Sequence, residues 1–135
     1  MTDTIQNAPV SKAGVWAGRI ISAIVVFFLL FDSGIKVLKL AAAVEGTVQA
    51  GYPASVVRPI GIVLLACIVF YVIPRASILG AILLTGYLGG ATATMVRLSN
   101  PGFFLPVVVG VLAWLGIYLR DAQLRVLIPL RRSAL

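Results

Sequence analysis

The sequence predicts an all-α fold, a four-helix transmembrane bundle, and three observations carry that reading. Between Arg75 and Arg97 the chain runs from Ala76 to Val96 without a charged side chain. As a helix that stretch covers roughly 30 Å, the thickness of a bilayer's hydrocarbon core. Pro59–Ile73 and Gly102–Leu119 are equally apolar and also charge-free. Finally, 61% of the residues are hydrophobic and 11% charged, with a mean hydropathy of +1.09. A soluble domain carries about 25% charged residues and needs them to cover its surface. A chain of 135 residues leaves room for one compact membrane domain and no second.

Each element has its own local signals. Residues 1–14 are polar and read as a cytoplasmic N-terminal segment, not a secretory signal, because the first apolar run lacks a small-residue cleavage site. The first span is expected over 15–40, with Trp16 and Arg19 at the interface and an unbroken apolar core from Ile20 to Phe31. Leu40 to Gln49 still favours helix, so this element is expected to run past the bilayer surface and stop at Gly51, before Tyr52-Pro53. The second span, 55–73, tolerates Pro59 in its first turn, where the missing N–H is not needed. Pro74-Arg75 is too short a connection for anything but antiparallel neighbours, and the third span occupies 76–97. Ser99-Asn100-Pro101-Gly102 is a turn, followed by the fourth span over 102–119. The membrane domain thus covers 15–120. The tail, 121–135, mixes leucine, valine and isoleucine with arginine and reads as a basic amphipathic stretch along the headgroups.

Four spans place both termini on one side. Lys12, Arg19, Arg75, Arg120, Arg125, Arg131 and Arg132 lie there, outnumbering Lys36, Lys39, Arg58 and Arg97 on the other. The positive-inside rule then puts the N- and C-termini in the cytoplasm. The net charge of +7 does not signal nucleic acid, because the basic residues sit at the ends of apolar runs and form no basic face. One cysteine, Cys67, and no histidine exclude an internal disulfide, a CxxC redox pair and imidazole-bound metal or haem. Cys67 itself reads as a small buried hydrophobe.

Three polar constellations interrupt the apolar sequence. Asp32 and Lys36 stand i, i+4 on one face of the first helix. If the bilayer starts near Trp16, Asp32 lies roughly 24 Å in, within the far third of the membrane. An unpaired carboxylate there costs roughly 2.5–3.5 kcal/mol or somewhat less. It therefore needs a partner or water, and either a structural ion pair or an open ligand site satisfies that need. Gly86, Gly90, Thr94 and Arg97 form a small-residue stripe on the third helix, which invites close helix packing. That stripe ends level with Asp32, so an Asp32–Arg97 contact between the first and third helices is expected. Tyr52, Tyr71, Tyr118, Trp16 and Trp114 suit interfacial belts, whereas Tyr87 lies mid-span and needs a hydrogen-bond partner.

Gly18-Arg19-Ile20-Ile21 followed by Gly34-Ile35-Lys36, then Tyr71-Val72-Ile73-Pro74-Arg75, then Leu79 to Ala91 (LGAILLTGYLGGA) resemble the helices of the DoxX-like membrane proteins. The resemblance extends from about Trp16 to Leu130. It implies a four-helix bundle of the bacterial inner membrane and an association with membrane oxidoreductases, the wider family being named for a subunit of a thiosulfate:quinone oxidoreductase. Arg19, Lys36 and Arg97 are the matching polar positions. The chain departs from the family pattern at Leu64, where many relatives carry glutamate, and at Met95, where many carry histidine. Both departures remove groups that could handle protons.

The resulting expectation is an accessory subunit that binds a small ligand, with Asp32, Lys36, Arg97 and Tyr87 as the ligand-binding residues and no catalytic or metal-binding residues assigned. No cofactor is evident in the sequence, and quinone is the one to be tested. Without histidine, a cysteine pair or a cofactor motif, electrons have nowhere in the chain to reside. The expected partners are the bilayer, a membrane or peripheral oxidoreductase subunit, or further copies of the chain. Two alternatives stay open: a quinone-linked oxidoreductase component, and a small proton-coupled transporter using Asp32.

Overall fold

A computed structural model describes residues 11–127. Helix α1 spans Lys12–Val37, α2 Ala41–Gln49, α3 Val57–Val72, α4 Ser77–Arg97, α5 Phe104–Arg120 and α6 Ala122–Leu127, with single 3₁₀ turns leading into α3, α4 and α5. Counting those lead-in turns, four helices are long and apolar enough to cross a membrane. Helices are what such apolar sequence must form in lipid, because no water is there to satisfy an unpaired backbone group. Large apolar side chains such as Phe27, Phe31, Ile24 and Val111 point outward, where a bilayer replaces solvent.

The four long helices form a ring in which α1 and α4 each pack on both α3 and α5. The diagonal pair, α1 and α4, is separated by a core that includes Val25, Leu29, Leu64, Leu84, Leu88 and Ile117. Close approach between neighbours depends on glycines outside the expected stripe. A Cβ on Gly18 would lie 2.6 Å from the carbonyl oxygen of Gly116, and one on Gly116 would strike the Ser22 hydroxyl, so α1 and α5 meet backbone to backbone. The same holds for Gly61 of α3 against the α1 backbone, and for Gly80 of α4 against Tyr71.

The first helix ends earlier than expected. It stops at Val37, and Lys39 takes a left-handed conformation (φ 55°) before α2 begins. The Lys39 amide donates to the Lys36 carbonyl and the Leu40 amide to the Ile35 carbonyl, a Schellman closure that reverses the chain. Gly51 (φ 91°) closes α2 in the same way, as its sequence suggested, and Ser99 (φ 56°) closes α4. Two of the three closures use a residue with a Cβ, which costs about 1–2 kcal/mol relative to glycine in the folded state. Glycine also raises the entropy of the unfolded chain. Ser99→Gly is therefore expected to stabilise the protein by about 0.5–1 kcal/mol in a detergent unfolding titration, and Ser99→Val to destabilise it.

Two aromatic residues expected at the interfaces lie elsewhere, Tyr71 in the core and Trp114 half-buried between two helices. Tyr71 is only 2% exposed. Its hydroxyl donates to the Ala113 carbonyl at 2.7 Å and receives the Ser22 hydroxyl at 2.9 Å, while Arg120 donates to Ser22 at 3.2 Å. This relay lets a phenol sit in the core without an orphaned polar atom. Trp114 donates its indole N–H to Thr85 at 2.7 Å, joining α5 to α4 along the outer surface of the bundle. Trp16 and Tyr118 each lie under a guanidinium, Arg19 and Arg125 respectively, at the end carrying the termini.

At that end, Asp121 caps α6 by accepting from the Gln123 and Leu124 amides, and Leu124 is buried against the bundle. The rest of the expected tail, 128–135 with Arg131 and Arg132, and residues 1–10 of the N-terminal segment lie outside the described residues.

Candidate functional site

At the end of the bundle opposite the termini, α1, α2 and α4 surround a cavity of about 1030 Å³. It exists because α2 folds back from Lys39 instead of extending α1 outward. Its wall carries Asp32, Lys36 and Tyr87 together with Thr47, Gln49, Tyr52 and Thr94. Most of the remaining surface is apolar, including Ile35, Ile60, Met95 and Leu98.

Lys36 organises the polar wall. Its ammonium lies 2.6 Å from Asp32 Oδ2, one turn back on α1, and donates to the Tyr87 hydroxyl at 2.9 Å. The same nitrogen sits 5.5 Å from the centroid of the Tyr87 ring. One side chain thereby bridges the diagonal between α1 and α4 that the helix backbones do not close. The lysine and aspartate side chains keep 19% and 33% of their exposure, so both open onto the cavity. Ser33, next to Asp32, is buried and donates to the Gly61 carbonyl at 2.8 Å, which locks this turn of α1 to α3. The rotation of α1 about its axis, and with it the aim of Asp32 and Lys36, is set by that bond and by the close packing at Gly61.

Three of the four residues singled out as ligand-binding come together here: Asp32, Lys36 and Tyr87. Arg97 does not join them. Its guanidinium donates to the Ala50 carbonyl at 2.8 Å, so the expected Asp32–Arg97 contact is not made. Ala50 is the C-cap of α2, and a cation is favoured at the negative end of a helix. The early end of α1 brings that carbonyl within reach, and the diagonal placement of α1 and α4 keeps the carboxylate away. Arg97 thus fastens α2 over the cavity, as does the Tyr52 hydroxyl paired with Thr94 at 3.1 Å.

The glycine stripe also has a different role from the one expected. A Cβ on Gly86 or Gly90 would meet nothing within 4 Å, so neither admits another helix of this chain. Gly90 and Thr94 instead widen the cavity wall, and Gly86 lies exposed. Of the two positions that depart from the DoxX-like pattern, Met95 lines the cavity and Leu64 is fully buried in the core. The contributions of Thr47, Gln49 and Tyr52 were not anticipated, because they depend on α2 turning back. A faint signal was present: Ala43 and Thr47, spaced i, i+4, form the buried face of a short helix.

A family model described as the DoxX-like family matches residues 20–116 of the chain. No curated protein and no solved structure matches it.

Proposed function

We propose that this chain, which belongs to the DoxX-like family, is a ligand-binding accessory subunit of a membrane complex and holds a small lipophilic molecule by its polar head. The observation that carries the reading is the Asp32–Lys36–Tyr87 cluster set into the wall of an otherwise largely apolar cavity. Small-molecule sites have this character, mostly apolar with a few convergent polar groups. At about 1030 Å³ the space accommodates a ring-sized head and part of an alkyl chain.

Quinone is the ligand class that the family resemblance favours. A chain with one cysteine and no histidine gives a bound quinone no internal redox partner, which supports a role beside an oxidoreductase subunit over an autonomous enzyme. In the orientation favoured by the basic residues the termini face the cytoplasm of a bacterial inner membrane, and the cavity opens on the other face.

Extraction of the purified protein with organic solvent tests the reading. Native protein is expected to yield a lipophilic molecule in near-stoichiometric amount, and Lys36→Ala or Tyr87→Phe to deplete it several-fold. Affinity purification from native membranes is expected to recover a stable partner subunit. Equal recovery of every lipid from native and variant protein overturns the proposal.

A further inference from the structure

The hydrogen bonds around Lys36 leave a defined set of open valences. The ammonium has three N–H groups; one goes to Asp32 and one to Tyr87, and the third has no acceptor among the described residues. Tyr87 accepts from Lys36, so its hydroxyl proton is also unassigned among them. Two donors, one on each side of the α1–α4 diagonal, therefore share one region of the wall with no acceptor among the described residues. The matching ligand group is an oxygen acceptor.

Charge narrows the choice. Among the described residues, Asp32 and Lys36 are the only acidic or basic side chains lining the cavity. They form an ion pair at 2.6 Å and so cancel. Arg97, the nearest alternative cation on α4, is engaged by the Ala50 carbonyl. A carboxylate brought into this low-dielectric space would meet no net positive charge and would lie beside Asp32. Repulsion and lost hydration would both act against it.

Resting on the ligand-binding reading above, we infer that Asp32 is the specificity residue of the cavity. By neutralising Lys36 it restricts the site to uncharged, carbonyl-headed amphiphiles, whose oxygen takes the open N–H of Lys36 and the hydroxyl proton of Tyr87. Fatty-acid anions of the same length are rejected.

The test uses the full chain in nanodiscs of zwitterionic lipid, with empty nanodiscs subtracted, and three probes of equal chain length. These are decylbenzoquinone, decanoate and decylbenzene, each quantified at equilibrium. Native protein is expected to bind the quinone about tenfold or more tightly than either of the others, the scale of a lost hydrogen bond or an uncompensated charge. Asp32→Asn, which leaves Lys36 as an unpaired cation, is expected to raise decanoate affinity about tenfold. Tyr87→Phe is expected to weaken the quinone about fivefold and leave decylbenzene unchanged.

Decanoate binding to native protein as tightly as the quinone overturns the inference while leaving the ligand-binding reading intact. Unchanged decanoate affinity in a helical, monodisperse Asp32→Asn protein does the same. If no probe exceeds empty nanodiscs, the ligand-binding reading falls and the inference with it. The native-protein comparison needs no variant, so a misfolded substitution does not rescue the idea.

Discussion

Lys36→Met is expected to destabilise the protein by about 2–3 kcal/mol, although methionine keeps the length and the apolar stem of lysine. The cost comes from the group left behind. Asp32 would lose its only salt-bridge partner among the described residues and stay within a membrane-spanning helix. Removing one member of a buried ion pair costs about 3–5 kcal/mol. The figure is lowered here because Asp32 remains one-third exposed to the cavity. Adding Asp32→Asn to Lys36→Met is expected to recover most of the loss, since the amide needs no counter-charge. Tyr87→Phe alone is expected to cost about 1 kcal/mol, the worth of one hydrogen bond. An unfolding titration of all four proteins, followed by helicity, gives the coupling directly. A double variant as unstable as the single one shows that the pair is hydrated and energetically idle, and that Lys36 matters through packing instead.

A larger effect is expected at the other end of the bundle. Gly116→Val is expected to prevent stable assembly of α1 against α5, with a loss of about 3 kcal/mol or more. Overpacking usually costs about 1–3 kcal/mol because side chains can shift. At Gly116 little can shift: beyond the Ser22 hydroxyl, the new Cβ lies 3.2 Å from the Gly18 carbonyl oxygen and 3.2 Å from the Ser22 amide nitrogen, both backbone atoms. The substitution also displaces the Ser22 hydroxyl from the relay that satisfies Tyr71. Gly116→Ala is expected to be intermediate, and Ser22→Ala in the same chain to relieve part of its strain by removing the struck oxygen. Gly86→Ala is the contrasting case. It meets open space, so it is expected to be neutral or to stabilise by up to about 1 kcal/mol through helix propensity. A full-strength Gly116→Val bundle shows that α1 and α5 can separate without loss, contrary to the packing described here.

These two glycines also show what a sequence pattern can and cannot say about packing. Gly86 and Gly90 form a more conspicuous motif, yet neither packs against another described helix: Gly90 opens onto the cavity and Gly86 lies exposed. Gly18 continues a local small-residue series with Gly14 and Ser22, whereas Gly116 belongs to no such series, and each works against a partner on a different span. Spacing within one helix identifies a face of small residues. It carries no information about which helix, if any, arrives there.

The candidate site divides along the same line. Asp32 and Lys36 were legible as a pair because an i, i+4 relation is a local property of a helix. Tyr87 was legible as a phenol that must find a partner, and its partner is Lys36. The expected Asp32–Arg97 contact failed for a different reason. It rested on the two residues lying level along the bundle, whereas a left-handed Lys39 turns the chain and puts the Ala50 carbonyl in front of the guanidinium. Nothing in a lysine marks it for that conformation, which is why the closure at Gly51 was foreseen and the one at Lys39 was not.

The number of spans and the approximate extent of the last three were decided by the sequence alone. A charge-free apolar stretch of bilayer thickness has one way to satisfy its backbone in lipid, and charged residues and turn-forming prolines and glycines mark its ends. The diagonal relation of α1 to α4, the burial of Tyr71 and the existence of the cavity were decided only by the tertiary structure. Each depends on contacts between residues far apart along the chain, and a helix's own periodicity fixes neither its rotation nor its neighbours.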